Sequence, residues 1–333
     1  MAEFQKIRRR LCQLVSAHHV QILVGSGTLA NDTVGAQLTL ENKPGLILSN
    51  GEFGERLIDQ ARRFGLTFDT LKFRWGEPFN LAAVEQFLSR SSALGWLWCV
   101  HSETSTGMLN PLSTLQALCA GSRVKLCADC ISSIGLVPVN LEGIYLASCA
   151  SGKGLGGYPG LCMAFHDHPI ASSTALPRYL DLGWYDEHEG IAFTHSSNLV
   201  QALDAAVRQP DRPAKMAAVA AVSAQLRHRL RESGFNLVTP DSDATPGVVT
   251  IALPAGRDSA QLGRQLQQAG FLLSFNSDYL RRRNWIQICL MGEYSHEKLE
   301  SLTAWLGRDT GPAPAAAPAR PALAGKNGGG KTA

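Results

Sequence analysis

The sequence predicts an α/β protein: a large domain on a mainly parallel sheet, followed by a smaller α+β C-terminal domain. Three observations carry this expectation. From residue 20 to about 165, short apolar runs alternate with helix-like stretches, the rhythm of strands joined by crossover helices. The runs are continuous rather than alternating, as strands covered on both faces require. After Gln209-Pro-Asp-Arg-Pro213 a second, shorter set of helices and strands begins. At 333 residues and 45% apolar content, the chain has the length of about two domains and enough apolar surface for a sizeable core.

The elements follow in order. Strand-like runs occupy residues 20–24, 45–48, 94–100, 124–128, 144–148 and 161–165. Helices are expected over 53–64 and 81–89, and a connecting helix over 199–207. In the second set come a helix through Leu230, the strand GVVTIALP, a helix over 259–269, the strand NWIQICLM and a last helix over 296–306. The expected divisions are a large domain over 1–208, a small domain over 209–308 and an Ala/Pro/Gly-rich tail over 309–333. A tract of that composition cannot bury enough apolar surface to order itself. Its literal match to a phosphate-loop pattern, Gly325 to Thr332, lacks the preceding strand that such a loop needs.

Composition excludes several classes. Thirty-one basic against 28 acidic residues give a net charge of +3, without the basic bias of a nucleic-acid binder. No window approaches 18 uninterrupted apolar residues, so no membrane span is expected. The start MAEFQKIRRRLCQ lacks an apolar signal core, and a cytoplasmic location is expected. Most of the eight cysteines sit in apolar runs such as LWCV and LCMAF. Cys127 and Cys130 form a C-x-x-C, but a zinc site needs a second ligand pair and none is suitably spaced. Core packing is the expected role, and no metal site is expected.

Four features carry chemistry. VQILVGSGTLANDTV reads as strand, tight turn and helix, with Gly25 and Gly27 letting the backbone approach a ligand and Ser26 and Thr28 offering hydroxyls. The helix start adds free N–H groups, so this is an anion-binding turn. Residues 101–107, HSETSTG, are polar and directly follow the apolar run LWCV; ligands gather at the carboxyl ends of strands in open α/β sheets. Asp129 ends another apolar strand, where a carboxylate is costly without a positive partner. Lys153 sits in the Gly-rich turn SGKGLGG, and a lysine so placed can form a Schiff base with a carbonyl. Together these are the parts needed to hold pyridoxal 5'-phosphate (PLP): an aldehyde for the lysine, a phosphate for the turn and a pyridine nitrogen for the carboxylate.

The blocks GSGTLAND, NGEFGER, HSETSTGMLNPL, ADCISSIG, SGKGLGGYPGL and AFTHSSN stand in the order found in class V aminotransferases of PLP fold type I, and the chain resembles that family. It is most similar to 2-aminoethylphosphonate–pyruvate and alanine–glyoxylate (serine–pyruvate) transaminases. The resemblance implies a Schiff base on Lys153, Asp129 against the pyridine nitrogen, and Ser26, Gly27 and Thr28 on the phosphate. It further implies Phe53 stacked on the cofactor ring, Ile131 on the opposite face and Thr104 near the phenolic oxygen. Thr194 matches a position that reaches the phosphate from a partner subunit, implying a homodimer with composite sites. The expected activity moves an amino group from a small amine or amino acid to a 2-oxo acid.

Three departures accompany the resemblance. Gln287 stands where the family has an arginine that forks onto the substrate carboxylate, and a glutamine cannot supply that charge. Arg281, Arg282 and Arg283 lie just upstream, with Arg283 taken as the replacement. Gly152 stands where a polar residue often precedes the lysine. The chain starts at the family's first helix, without its Gly-Pro arm, so a misplaced start, a larger product or a more open site is expected. A lyase on the same cofactor, or a catalytically silent PLP-binding module, are the alternative readings.

Overall fold

A computed structural model of the chain describes residues 2–308. Its first helix, α1 (Ala2–Val15), buries Phe4, Ile7, Leu11 and Val15 along one face. Strand β1 (His19–Val24) follows, and then helices and strands alternate through α2 (Gly27–Leu38), β2 (Gly45–Ser49), α3 (Glu52–Arg63), β3 (Phe68–Lys72), α4 (Leu81–Arg90) and β4 (Trp96–Val100). A short hairpin, β5 (Ser102–Glu103) and β6 (Met108–Leu109), precedes α5 (Leu112–Ser122), β7 (Lys125–Asp129), β8 (Leu146–Ala150) and β9 (Leu161–His166). Helices α6 (Leu182–Glu187) and α7 (Ser197–Val207) come next, with α7 packed on α1.

Seven strands form one sheet in the order β1-β9-β8-β7-β4-β2-β3. The pairs β2–β3, β2–β4, β4–β7 and β7–β8 are parallel, and β9 runs antiparallel to both β8 and β1. Only β9 is reversed, so β1, β2, β4, β7 and β8 all end at the same edge. Every residue of β2, β4 and β8 is buried, which is why their sequences read as unbroken apolar runs. Alternate residues feed opposite faces: Trp96, Trp98 and Cys127 enter one core, and Leu97, Cys99 and Leu126 the other. Cys127 and Cys130 fall into different cores, and burial pushes both thiols up.

The second core is built from α8 (Arg212–Glu232), β10 (Asn236–Leu237), β11 (Val248–Ala252), α9 (Ser259–Gln268), α10 (Asp278–Arg283), β12 (Trp285–Cys289) and α11 (His296–Arg308). Strands β10, β11 and β12 form an antiparallel sheet, and Leu226, Val249, Ile251, Leu262 and Ile286 pack on it together with Leu136 and Val137 from the first unit. The β5–β6 hairpin is stitched to this unit. Thr245 N–H donates to Gly107 O at 2.8 Å, the Thr239 hydroxyl to Thr106 O at 2.8 Å, and the Ser102 hydroxyl to Thr245 Oγ1 at 3.0 Å. The 309–333 tract and its phosphate-loop pattern lie outside the described residues. Among the described residues no helix is long and apolar enough to cross a membrane.

Candidate active site

The shared carboxyl edge of the sheet opens into a cavity of about 350 Å³, in the range of small-molecule and cofactor sites. Its walls come from the turns after β1, β2, β4, β7 and β8. At the first of these, Gly25 N–H donates to Gly160 O at 2.9 Å, fixing the turn against β9. Ser26 caps α2 in an extended conformation without a side-chain capping bond. The hydroxyls of Ser26 and Thr28 have no partner among the described residues, and both residues line the cavity. The N–H groups of Gly27 and Thr28 have no acceptor among the described residues, while those of Leu29 and Ala30 turn back to Ser26 O, so this corner offers two N–H donors and a positive dipole end to an anion. A Cβ at Gly27 would lie 2.7 Å from Ile131 Cδ1, so a side chain there would push Ile131 aside.

Asp129 sits at the end of β7, only 6% exposed. Its Oδ2 accepts from Asn31 Nδ2 at 2.8 Å and its Oδ1 from Ile131 N–H at 3.0 Å, while Asn31 Oδ1 accepts from the Ser148 hydroxyl at 2.6 Å. Burial raises the Asp129 pKa, and these two hydrogen bonds and the charge of Lys153 offset only part of that rise. A cation placed against this carboxylate would favour its ionised form. Sequence reasoning missed Asn31; it lies one helical turn after Gly27, on the same face of α2 as the anion-binding turn.

Phe53 and Ile131 line the cavity from α3 and from the turn after β7. The position of Phe53 is set by Glu103, whose carboxylate accepts from the N–H groups of Phe53 (3.3 Å), Gly54 (2.9 Å) and Ser105 (3.2 Å) and from the Ser105 hydroxyl. Glu103 thus satisfies the start of α3 in the way a capping side chain does. Complete burial pushes its carboxyl up to about 7 against those bonds. Lys153 stands in the turn between β8 and β9 and lines the cavity. A Cβ at Gly152 would lie 2.8 Å from Pro159 Cγ, so the side chain that often precedes the lysine has no room here.

The cavity gathers Ser26, Gly27, Thr28, Phe53, Asp129, Ile131 and Lys153; Thr104, Thr194, Gln287 and Arg283 are not among its lining residues. From the HSETSTG block only Ser102 lines it; the carbonyls of Thr104, Ser105, Thr106 and Gly107 bind the second unit, and Glu103 serves the start of α3. Gln287 is buried on β12, and its Nε2 donates to Thr104 O (2.7 Å), Ser105 O (3.0 Å) and Thr250 Oγ1 (2.8 Å). Its Oε1 accepts from the Tyr279 hydroxyl at 3.2 Å. The carboxamide expected at the substrate is therefore spent tying β12 to the β5–β6 turn. Arg283 lies 3.6 Å over the Trp75 ring and 5.2 Å from that of Trp285. Thr194 is exposed. Among the described residues one group, His19, His166 and Asp186, could hold a metal; it lies at the opposite end of β1, where Arg8 and Gln21 already bind Asp186.

An open-ended α/β sheet with an anion-binding helix start, a buried carboxylate and a lysine around one cavity defines the class: a PLP-dependent enzyme of fold type I. No family model matches the chain. A 2-aminoethylphosphonate–pyruvate transaminase of Pseudomonas fluorescens is 30% identical over 271 residues, which is 75% of this chain and 73% of that protein. Another, from Paraburkholderia xenovorans, is 31% identical over 268 residues, covering 75% and 72%. Among solved structures, an alanine–glyoxylate aminotransferase from Nostoc sp. superposes with a TM-score of 0.82 at 28% identity, covering 92% of this chain and 86% of that one. The chain belongs to the class V aminotransferases, in the family of the 2-aminoethylphosphonate–pyruvate transaminases. It is a PLP-dependent aminotransferase that passes an amino group from an amine to a keto acid.

Proposed function

We propose that the donor is a small amine of the 2-aminoethylphosphonate kind, with alanine and serine as the competing donors, and that the acceptor is a 2-oxo acid. The names of the similar proteins support the donor class. The observation that carries the site is the meeting of Lys153, Asp129 and the free start of α2 around one cavity. Bound PLP supplies an aldehyde that captures amines and a ring that withdraws electrons from the donor carbon. Ser26, Gly27 and Thr28 hold its phosphate with hydroxyls and N–H groups. Asp129, oriented by Asn31, holds the proton on the pyridine nitrogen. Phe53 and Ile131 would confine the ring from the cavity wall. Lys153 would hold the aldehyde of the bound group and, with its amine free, would serve as the base and acid that moves a proton at the donor carbon.

Three further assignments belong to this reading. The chain forms a homodimer in which Thr194 of each copy reaches the other's phosphate, an assignment supported by its exposure and its absence from its own cavity. It works in the cytoplasm, in keeping with eight unpaired cysteines. Residues 1–208 act as the cofactor domain and 209–308 as the small domain. The test is the absorption spectrum of PLP-loaded protein with 2-aminoethylphosphonate, alanine or serine added in turn. Conversion to the pyridoxamine form by the phosphonate supports the reading. Conversion only by the amino acids overturns the donor, and keto-acid release with the PLP spectrum unchanged supports a lyase instead.

A further inference from the structure

We propose that Arg56, on the same face of α3 as Phe53, is the residue that recognises the anionic group of the substrate, in place of an arginine on β12. The inference rests on the donor reading above and concerns which side of the cavity carries the charge. On β12 that charge is absent: Gln287 is neutral, and its carboxamide is consumed by two carbonyls and two hydroxyls. Arg283 is held over Trp75 and does not line the cavity. Arg281 and Arg282, on the same short helix, do not line it either.

The cavity's lining includes two cationic side chains, Lys153 and Arg56, and Lys153 is committed to the cofactor aldehyde. Arg56 follows Phe53 by one helical turn, with its guanidinium 5.0 Å from the Phe53 ring centroid. Its Nε is held by Glu52 Oε1 at 3.1 Å, which fixes the side chain's direction. Its two terminal nitrogens have no partner among the described residues. They form the half of the guanidinium fork that pairs bidentately with phosphonate or carboxylate. The start of α2 supplies separate donors for a second anion, so the cofactor phosphate and a substrate anion each have a place. A guanidinium facing the cavity with a free fork suits a compact dianion at the end of a short amine.

The test uses the PLP-loaded enzyme, its Arg56→Gln and Arg56→Lys variants, and ethylphosphonate, the donor's skeleton without its amine. Calorimetry reads ethylphosphonate binding, the half-reaction reads donor saturation, and PLP retention on dialysis reads the cofactor. Arg56→Gln is expected to weaken ethylphosphonate about tenfold or more and to raise the donor half-saturation equally. The limiting rate and the PLP dissociation constant stay within about threefold. Arg56→Lys, keeping charge without the fork, falls between. PLP loss of about tenfold with ethylphosphonate unaffected overturns the proposal and assigns Arg56 to the cofactor phosphate. No change in either leaves Arg56 a surface ion pair with Glu52 and also overturns it. If wild-type enzyme binds ethylphosphonate through Arg56 yet does not convert 2-aminoethylphosphonate, the donor reading fails while this inference stands.

Discussion

Replacing Gln287 by leucine tests the joint between the two units. The side chain is buried and of similar length, so the substitution removes hydrogen bonds while keeping most of the volume. Three donor contacts and one acceptor contact disappear. The Thr250 and Tyr279 hydroxyls can turn to other acceptors, but the Thr104 and Ser105 carbonyls lose a donor inside the protein. At roughly 1–3 kcal/mol per buried group deprived of its partner, the two carbonyls set the expected loss at about 3 kcal/mol. A urea titration of the PLP-loaded variant should show that loss as a lowered midpoint with an unchanged slope. The same change should lower the half-reaction rate, because the turn that Gln287 holds also carries Ser105, a partner of Glu103, and Glu103 positions Phe53. A loss below about 1 kcal/mol with an unchanged half-reaction would refute the claim that Gln287 ties β12 to the large unit's active-site turn.

Other expectations are direct. Lys153→Ala should abolish the borohydride-reducible yellow species and the half-reaction; persistence of both would remove Lys153 from its assigned place. Glu103 carries a pH signature, since its folded carboxyl lies at about 7 against an ordinary value near 4.5. Between those values the unfolded chain releases a proton that the folded chain keeps. This group's contribution to stability is therefore present at low pH and declines as pH rises through that window, by about 3 kcal/mol. Urea midpoints of wild type and Glu103→Gln across pH 5 to 8 should differ in slope in that sense. His101, held neutral by burial with its pKa near 4, contributes the opposite slope to both proteins and cancels in the comparison; parallel curves would show that Glu103 is not the titrating group. A thiol titration with an aromatic disulfide should find exposed Cys289 reacting at once and half-buried Cys12 slowly, with the six buried thiols reacting only after unfolding. Rapid reaction of several more thiols in the native protein would contradict the packing of both cores.

Periodicity made the sheet legible because parallel strands buried on both faces leave an uninterrupted apolar signature, as in LWCV and LASCA. It did not reveal that β9 runs backwards, since LCMAFH is buried throughout like its neighbours and burial carries no direction. β3 was missed for a related reason: FDTLK sits at the sheet edge with no residue fully buried. The site residues that terminate strands could be read because a polar side chain at the end of an apolar run is conspicuous, as with Asp129. Asn31, Arg56 and Gln60 could not, since each is one polar residue among many on a helix and only the packing of α2 against α3 turns them toward the cavity. The HSETSTG block shows the opposite error. Its polarity reads as a ligand-binding loop, yet the Ser102 hydroxyl and the backbone carbonyls of Thr104, Ser105 and Thr106 hold the second unit, and the Glu103 carboxylate and Ser105 hydroxyl serve the start of α3.

That exchange explains why Gln287 is tolerated where the resemblance expects arginine. A buried guanidinium needs a carboxylate or a bound anion to offset its desolvation, and the groups around position 287 are carbonyls and hydroxyls. A neutral carboxamide satisfies those groups at all times, whether or not substrate is present. Moving the charge to Arg56 puts it on a half-exposed side chain, where Glu52 and water solvate it between turnovers. The cost is geometric: a single flexible arginine on α3 defines the anion's position less tightly than a packed one on β12. A compact phosphonate, with three equivalent oxygens, tolerates that looseness better than a planar carboxylate does. The enzyme should accordingly discriminate between donors by their anionic group. Exchanging phosphonate for carboxylate on the same two-carbon amine, in passing from 2-aminoethylphosphonate to β-alanine, should weaken donor saturation in wild type by about tenfold. In Arg56→Gln that difference should shrink, as a competition assay on the half-reaction would show. An equal preference in both proteins would place the discriminating group elsewhere in the cavity.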